Sequence, residues 1–183
     1  LRYGHRGGAL LPVEKAKVKA ARCLAKGATR DLLASAVFEE KEVKLAGGCE
    51  AASAFYDGGF WSLTPDGEVN RPKHQVPDAV KAWASRQFAK WVEARSAGAV
   101  IGDELELVIV GELAGKRQGD KVTILVLYQG KPVPDAVVAI DHQPLGQTDS
   151  AGQTRVKIRS EGVETVSATL RQKVQSPEAD SVV

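Results

Sequence analysis

The stretch Gly119-Asp120-Lys121-Val122-Thr123-Ile124-Leu125-Val126-Leu127-Tyr128-Gln129-Gly130-Lys131-Pro132-Val133-Pro134-Asp135-Ala136-Val137-Val138 decides the fold class. A β-branched and aliphatic run is followed by a Gly/Pro-rich turn and a second such run. Valine, isoleucine and tyrosine suit a pleated, half-buried surface, and Gly and Pro punctuate it. Outward from this hairpin, strands are expected near residues 103–110, 121–128, 135–141, 154–159 and 163–171, with Asp149-Ser150-Ala151-Gly152 as a tight turn. Short strands with turn signals about every eight to twelve residues predict a β-sandwich.

The first half also reads as mostly β. Residues 14–25 alternate, with Lys15, Lys17 and Lys19 on the solvent side, and Lys26-Gly27 closes that run. Further strands are expected over residues 32–38 and 43–45. Residues 51–56 form the next strand, Asp57-Gly58-Gly59 reads as a hairpin turn, and residues 60–63 are the return strand. Thr64-Pro65-Asp66-Gly67 is a turn, and residues 68–78 form a polar loop. Pro77-Asp78 opens a helix candidate with Val80, Trp83, Ala84, Phe88 and Trp91 near one face. The alternative for residues 87–93 is a strand with Phe88, Lys90 and Val92 on one side. Ser96-Ala97-Gly98 is the best linker. The expectation is a mainly β protein, with an antiparallel, immunoglobulin-like β-sandwich over residues 99–183. Residues 1–98 form a smaller β-rich part with one short helix.

Charge and composition exclude several classes. Residues 1–98 carry 16 Lys/Arg against 11 Asp/Glu, and residues 99–183 carry 9 against 12. The basic residues of the first half are scattered, whereas tracking phosphates needs a denser patch, so no nucleic-acid partner is expected. No apolar run reaches the roughly 18 residues of a membrane-spanning helix, so no direct membrane insertion is expected of this chain. The chain contains no Met, so it is expected to begin after processing or trimming.

Catalytic signatures are missing from the sequence. There is no GxSxG elbow, no Walker loop and no GxGxxG. Three histidines are candidate metal ligands: His5 at a strand end, His74 in the polar loop and His142 after Asp141 at a turn. No local spacing joins two of them, so a multi-His site would have to be assembled by the fold. Cys23 and Cys49 fit neither a zinc knuckle nor a redox CxxC. They read either as two buried thiols or, in an oxidising compartment, as a bridge closing a loop of about 26 residues and worth about 3 kcal/mol. Tyr56, Phe60 and Trp61 form a candidate interaction surface, with hydrophobic core as their other reading.

Several of these pieces carry a resemblance. Tyr3-Gly4-His5, Pro12 with the Val18 strand, Tyr56-Asp57-Gly58-Gly59-Phe60-Trp61 and Phe88-Ala89-Lys90 are followed by Gly102 to Leu107 and Gly119 through Pro132. Thr148 to Gly152 and Gly162 through Thr169 complete the set. Together they resemble a bacterial periplasmic domain-of-unknown-function family described as the periplasmic component of nickel/cobalt transport systems. The resemblance implies export to the periplasm, no catalysis, membrane transporter subunits as partners and nickel or cobalt as bound cation, with His5 as the ligand in a matching motif. Imidazole nitrogen suits both metals. The alternative is an extracellular β-sandwich module that binds protein or glycan.

Overall fold

The computed structural model describes residues 3–4 and 10–183. In chain order the strands are β1 (Tyr3–Gly4), β2 (Leu10–Leu11), β3 (Val18–Ala25), β4 (Ala28–Asp31), β5 (Val37–Phe38), β6 (Val43–Lys44), β7 (Ala51–Thr64), β8 (Gly67–Val69) and β9 (Lys81–Val92). The second half adds β10 (Leu105–Val110), β11 (Lys121–Tyr128), β12 (Lys131–Pro132), β13 (Val137–Ile140), β14 (Gln143–Gln147), β15 (Gln153–Lys157) and β16 (Val166–Thr169). The last two are β17 (Gln172–Lys173) and β18 (Ser181–Val182). The protein is mainly β, as the sequence predicts. Helical residues among those described are confined to three-residue 3-10 turns.

A single sheet with strand order β17-β18-β9-β7-β3-β4, plus β8 on β7, organises the first half. Its axis is β7, fourteen residues long, paired antiparallel to β3 on one side and β9 on the other. Two expectations fail here. Asp57-Gly58-Gly59 is no hairpin turn: the chain runs straight through it, and the register steps from Asp57↔Arg86 to Gly59↔Ser85. The extra residue is a bulge, fixed by Gly59 N–H donating to Asp57 Oδ1 at 3.0 Å. A Cβ at Gly58 would lie 2.9 Å from Ser85 Oγ, so glycine fits the close approach of the two strands. The helix expected after Pro77-Asp78 is likewise the strand β9, bonded to β7 in twelve registered pairs. Residues 33–35, expected within a strand, form a 3-10 turn instead.

The sheet's two faces differ. Ala21, Cys23, Ala54 and Tyr56 lie on one, buried under the 32–45 segment, whose Leu32 and Val43 are 3% and 1% exposed. Ala20, Arg22, Ser53, Phe55, Arg86, Phe88 and Lys90 share the opposite face by register.

The second half is a two-sheet sandwich. β11 pairs with β10, β12 and β15, and β13 pairs with β14 and β16. Val122, Ile124, Val126 and Val156 from one sheet meet Val138 and Ile140 from the other in one core. The turn at residues 149–152 matches expectation: Asp149 Oδ1 accepts Ala151 N–H and Gln153 N–H, each at 2.9 Å. β14, not foreseen, is the exposed partner of β13.

The strands that follow the sandwich leave it. β17 and β18 cross back to the first sheet, where β18 pairs parallel to β9 at Ser181↔Trp83 and Val182↔Ala84. The sheet of residues 1–98 therefore also contains residues 172–173 and 181–182.

Candidate functional site

The densest polar constellation lies between the open face of the first sheet and the segment 103–106 that leads into the sandwich. Strand periodicity puts three cations on one face: Arg22 from β3, and Arg86 and Lys90 from β9. Each meets a carboxylate. Arg22 Nη1 donates to Asp103 Oδ1 at 2.7 Å, with Asp103 4% exposed. Arg86 Nη1 donates to both oxygens of Glu104, at 2.7 and 2.6 Å. Lys90 Nζ donates to Glu106 Oε1 at 2.6 Å, and also to Ala99 O and Leu107 O.

Glu106 is 2% exposed and accepts Ile101 N–H at 2.8 Å and Gly102 N–H at 2.9 Å on its two oxygens. A buried carboxylate survives only when paired and hydrogen-bonded, and both conditions hold here. Tyr128 Oη donates to Glu104 Oε1 at 3.1 Å. Burial, then that hydrogen bond, pushes its phenol above the ordinary value. Between Arg22 and Lys90, on the same face, Ser53 Oγ is buried and has no hydrogen-bond partner.

Beside the ion pairs lies a cavity of about 350 Å3 lined by Arg22, Phe55, Phe88, Asp103, Glu104 and Gln129, among others. Phe55 and Phe88 stack with centroids 4.6 Å apart and planes 10° apart, and the Arg86 guanidinium lies 5.4 Å from the Phe55 centroid. The arrangement can bind and orient. Its cations and carboxylates pair with one another.

The residues singled out from the sequence are dispersed. His5 lies outside the described residues. His74 is exposed, in the 3-10 turn Lys73–Gln75, with its Nε2 3.4 Å from Gln75 Nε2. His142 is exposed in the left-handed turn between β13 and β14, at φ 63°. Among the described residues, no three of His, Cys, Asp and Glu are grouped to hold a metal ion. Cys23 and Cys49 form a disulfide with Cα atoms 5.4 Å apart, which resolves the two readings in favour of the bridge.

The three aromatics do not act together. Tyr56 is core, packed with Val13, Val18 and Val43. Phe60 is 37% exposed, and Trp61 is half-buried with Nε1 donating to Gly58 O at 3.1 Å. Phe60 and Trp61, consecutive on β7, point to opposite faces of the sheet. Sequence reading missed Arg22, Arg86, Asp103, Glu104 and Glu106. The one usable signal was the even spacing of Arg86, Phe88 and Lys90, visible only if residues 81–92 are read as a strand.

This architecture defines a mainly β, disulfide-bridged protein with an ion-paired seam between its sheets. The family described as domain of unknown function (DUF4198) matches residues 3–170, and the chain belongs to it. No curated protein and no solved structure matches the chain. Among the described residues, no helix is long and apolar enough to cross a membrane.

Proposed function

We propose that this protein is an exported, non-enzymatic component of a nickel or cobalt uptake system, working in the periplasm beside membrane transporter subunits. The observation that carries the reading is the Cys23–Cys49 disulfide. Stable bridges belong to oxidising compartments, the periplasm among them. The resemblance through Tyr3-Gly4-His5 and Tyr56 to Trp61 supports the transport role. In the proposed mechanism, His5 captures a divalent cation with carboxylate or backbone ligands and releases it to the membrane partner. The ion-paired seam supports the reading of the protein as a rigid scaffold. Calorimetric titration with nickel chloride tests the reading. Saturable binding that His5→Ala abolishes supports it; no binding, or binding unchanged in His5→Ala, removes His5 from the mechanism.

A second reading, a module that binds protein or glycan, is favoured by exposed Phe60 and by Trp91, 48% exposed on β9. It predicts binding lost in Phe60→Ser and indifferent to nickel.

A further inference from the structure

The cavity beside the ion pairs owes its space to one short side chain. Strands β3 and β7 pair Ala20 with Phe55, and β9 sets Phe88 on the other side of Phe55. Ala20 is too small to fill the room beside the stacked rings, and about 350 Å3 stays open there. The sandwich supplies the opposite wall. Gln129 and Gly130, with φ of 50° and 74°, form the two-residue turn between β11 and β12. Gln129 N–H donates to Glu104 O at 2.7 Å, which pins that turn against the segment 103–106.

Two side chains that line this space have polar atoms to spare. Asp103 is 4% exposed and uses only Oδ1, for Arg22; its Oδ2 has no hydrogen-bond partner among the described residues. Buried acceptors are nearly always hydrogen-bonded, so a free one at a cavity wall is a contact point for a guest's donor. Arg22 uses Nη1 for Asp103 and, at 3.4 Å, for Gly102 O. Its Nε and Nη2 donors have no partner among the described residues. An acceptor and donors therefore border one space, with aromatic carbon on its other side.

We propose that this cavity binds one neutral pyranose ring, either a free monosaccharide or the end unit of a glycan. Charge selects a neutral guest. An anion would meet Asp103 and Glu104, and a cation would meet Arg22 and the Arg86 guanidinium, which lies 5.4 Å from the Phe55 centroid. A hydroxyl both donates and accepts, so neighbouring hydroxyls on one ring satisfy Asp103 Oδ2 and the Arg22 donors together. The C–H flank of such a ring is apolar and suits Phe55 and Phe88. The volume falls in the range of small-molecule pockets. The inference extends the second, glycan reading to a site that includes neither Phe60 nor Trp91, and it needs neither His5 nor nickel.

Amide NMR titration of the whole chain tests it, with the methyl glycosides of glucose, galactose, mannose and N-acetylglucosamine as probes. At least one should shift the Asp103, Gln129 and Gly130 amides saturably. Ala20→Leu fills the cavity and should weaken that binding at least tenfold. Asp103→Asn keeps an oxygen for Arg22 but turns the free acceptor into a donor, and should weaken it at least fivefold; it decides the matter if Ala20→Leu does not fold. The uronic-acid and amino-sugar forms of the bound sugar should bind at least fivefold more weakly than the neutral form. Phe60→Ser should leave the titration unchanged. A linear trisaccharide that binds more tightly than its monosaccharide assigns the site to a glycan end, and one that binds no better assigns it to the free sugar. Four outcomes would overturn the proposal: no saturable shift with any probe, affinity unchanged in the folded cavity variants, charged sugars that bind as well as neutral ones, or binding lost in Phe60→Ser. The last would move the sugar to the Phe60 surface.

Discussion

Lys90 Nζ and Glu106 Oε1 lie 2.6 Å apart, joining the last long strand of the first sheet to the first strand of the sandwich, with both side chains nearly out of solvent. Burying such a pair gains little over an apolar contact, but removing one partner strands the other charge. Lys90→Met should therefore cost about 3 kcal/mol in urea unfolding. Adding Glu106→Gln removes the stranded charge but keeps an acceptor for only one of the Ile101 and Gly102 amides, so the double variant should recover part, not all, of the loss. A double variant weaker by the full sum of the singles would show that the two groups are not coupled.

The Cys23–Cys49 bridge spans 26 residues, including the whole of β4, and Cys23 is fully buried. Replacing both with Ala should lower stability by about 3 kcal/mol, read as a shift in denaturant midpoint. Wild-type protein treated with reductant should move by a similar amount. An unchanged midpoint in both would show that the crosslink constrains nothing in the unfolded chain.

Gly152 holds φ at 72°, and a Cβ there would lie 2.8 Å from Val133 N and 2.9 Å from Pro132 Cβ. Gly27 has a similar φ of 74° with nothing within 4 Å. Gly152→Ala should thus cost clearly more than Gly27→Ala, about 3 against about 1 kcal/mol, since only the first adds a backbone clash to left-handed strain. Thermal unfolding of the two variants side by side measures the difference.

Asp180 holds β18 in place: it accepts Lys73 Nζ and, at 2.8 Å, Ala82 N–H. These bonds, the lysine first, keep its carboxyl below the ordinary carboxylate value. A depressed folded value means that the stabilisation is fully present above the unfolded pKa, about 3.9, and fades as pH falls through the folded one. The Ala82 amide should therefore lose exchange protection below about pH 4, ahead of the sandwich core. Asp180→Asn should show weaker protection already at neutral pH. Protection independent of pH down to global unfolding would contradict this.

His74 and His142 sit on separate exposed turns, one beside the first sheet and one in the sandwich. His74→Ala and His142→Ala should each leave the nickel titration curve of the parent chain unchanged. A tenfold loss of affinity in either would place that residue in a metal site.

The sandwich was the legible half. Residues 121–128 combine β-branched runs with a Gly/Pro turn, and local preference agrees with tertiary pairing there. The first half was harder because its punctuation is ambiguous. Asp57-Gly58-Gly59 has the composition of a hairpin turn, yet a bulge uses the same glycine tolerance, and only the partner strand decides between them. Trp83, Ala84, Phe88 and Trp91 satisfy a helical stripe, but their true arrangement is two faces of β9, with Phe88 stacked on Phe55 and Trp91 largely in solvent. The ion-paired seam was illegible for a similar reason. Arg22 and Asp103 are 81 residues apart, and no local pattern announces a contact across two sheets.

The return of β18 to β9 sets an order of events for a polypeptide emerging from the ribosome. Asp180 lies 98 residues downstream of Ala82, whose amide it caps. The early sheet must wait for those 98 further residues before its flank is sealed, while the hairpins of the sandwich can close as soon as they appear. Contacts so distant in sequence are slow to form. A nascent chain would spend that interval with the Trp83 flank bare, the moment at which a chaperone would find it.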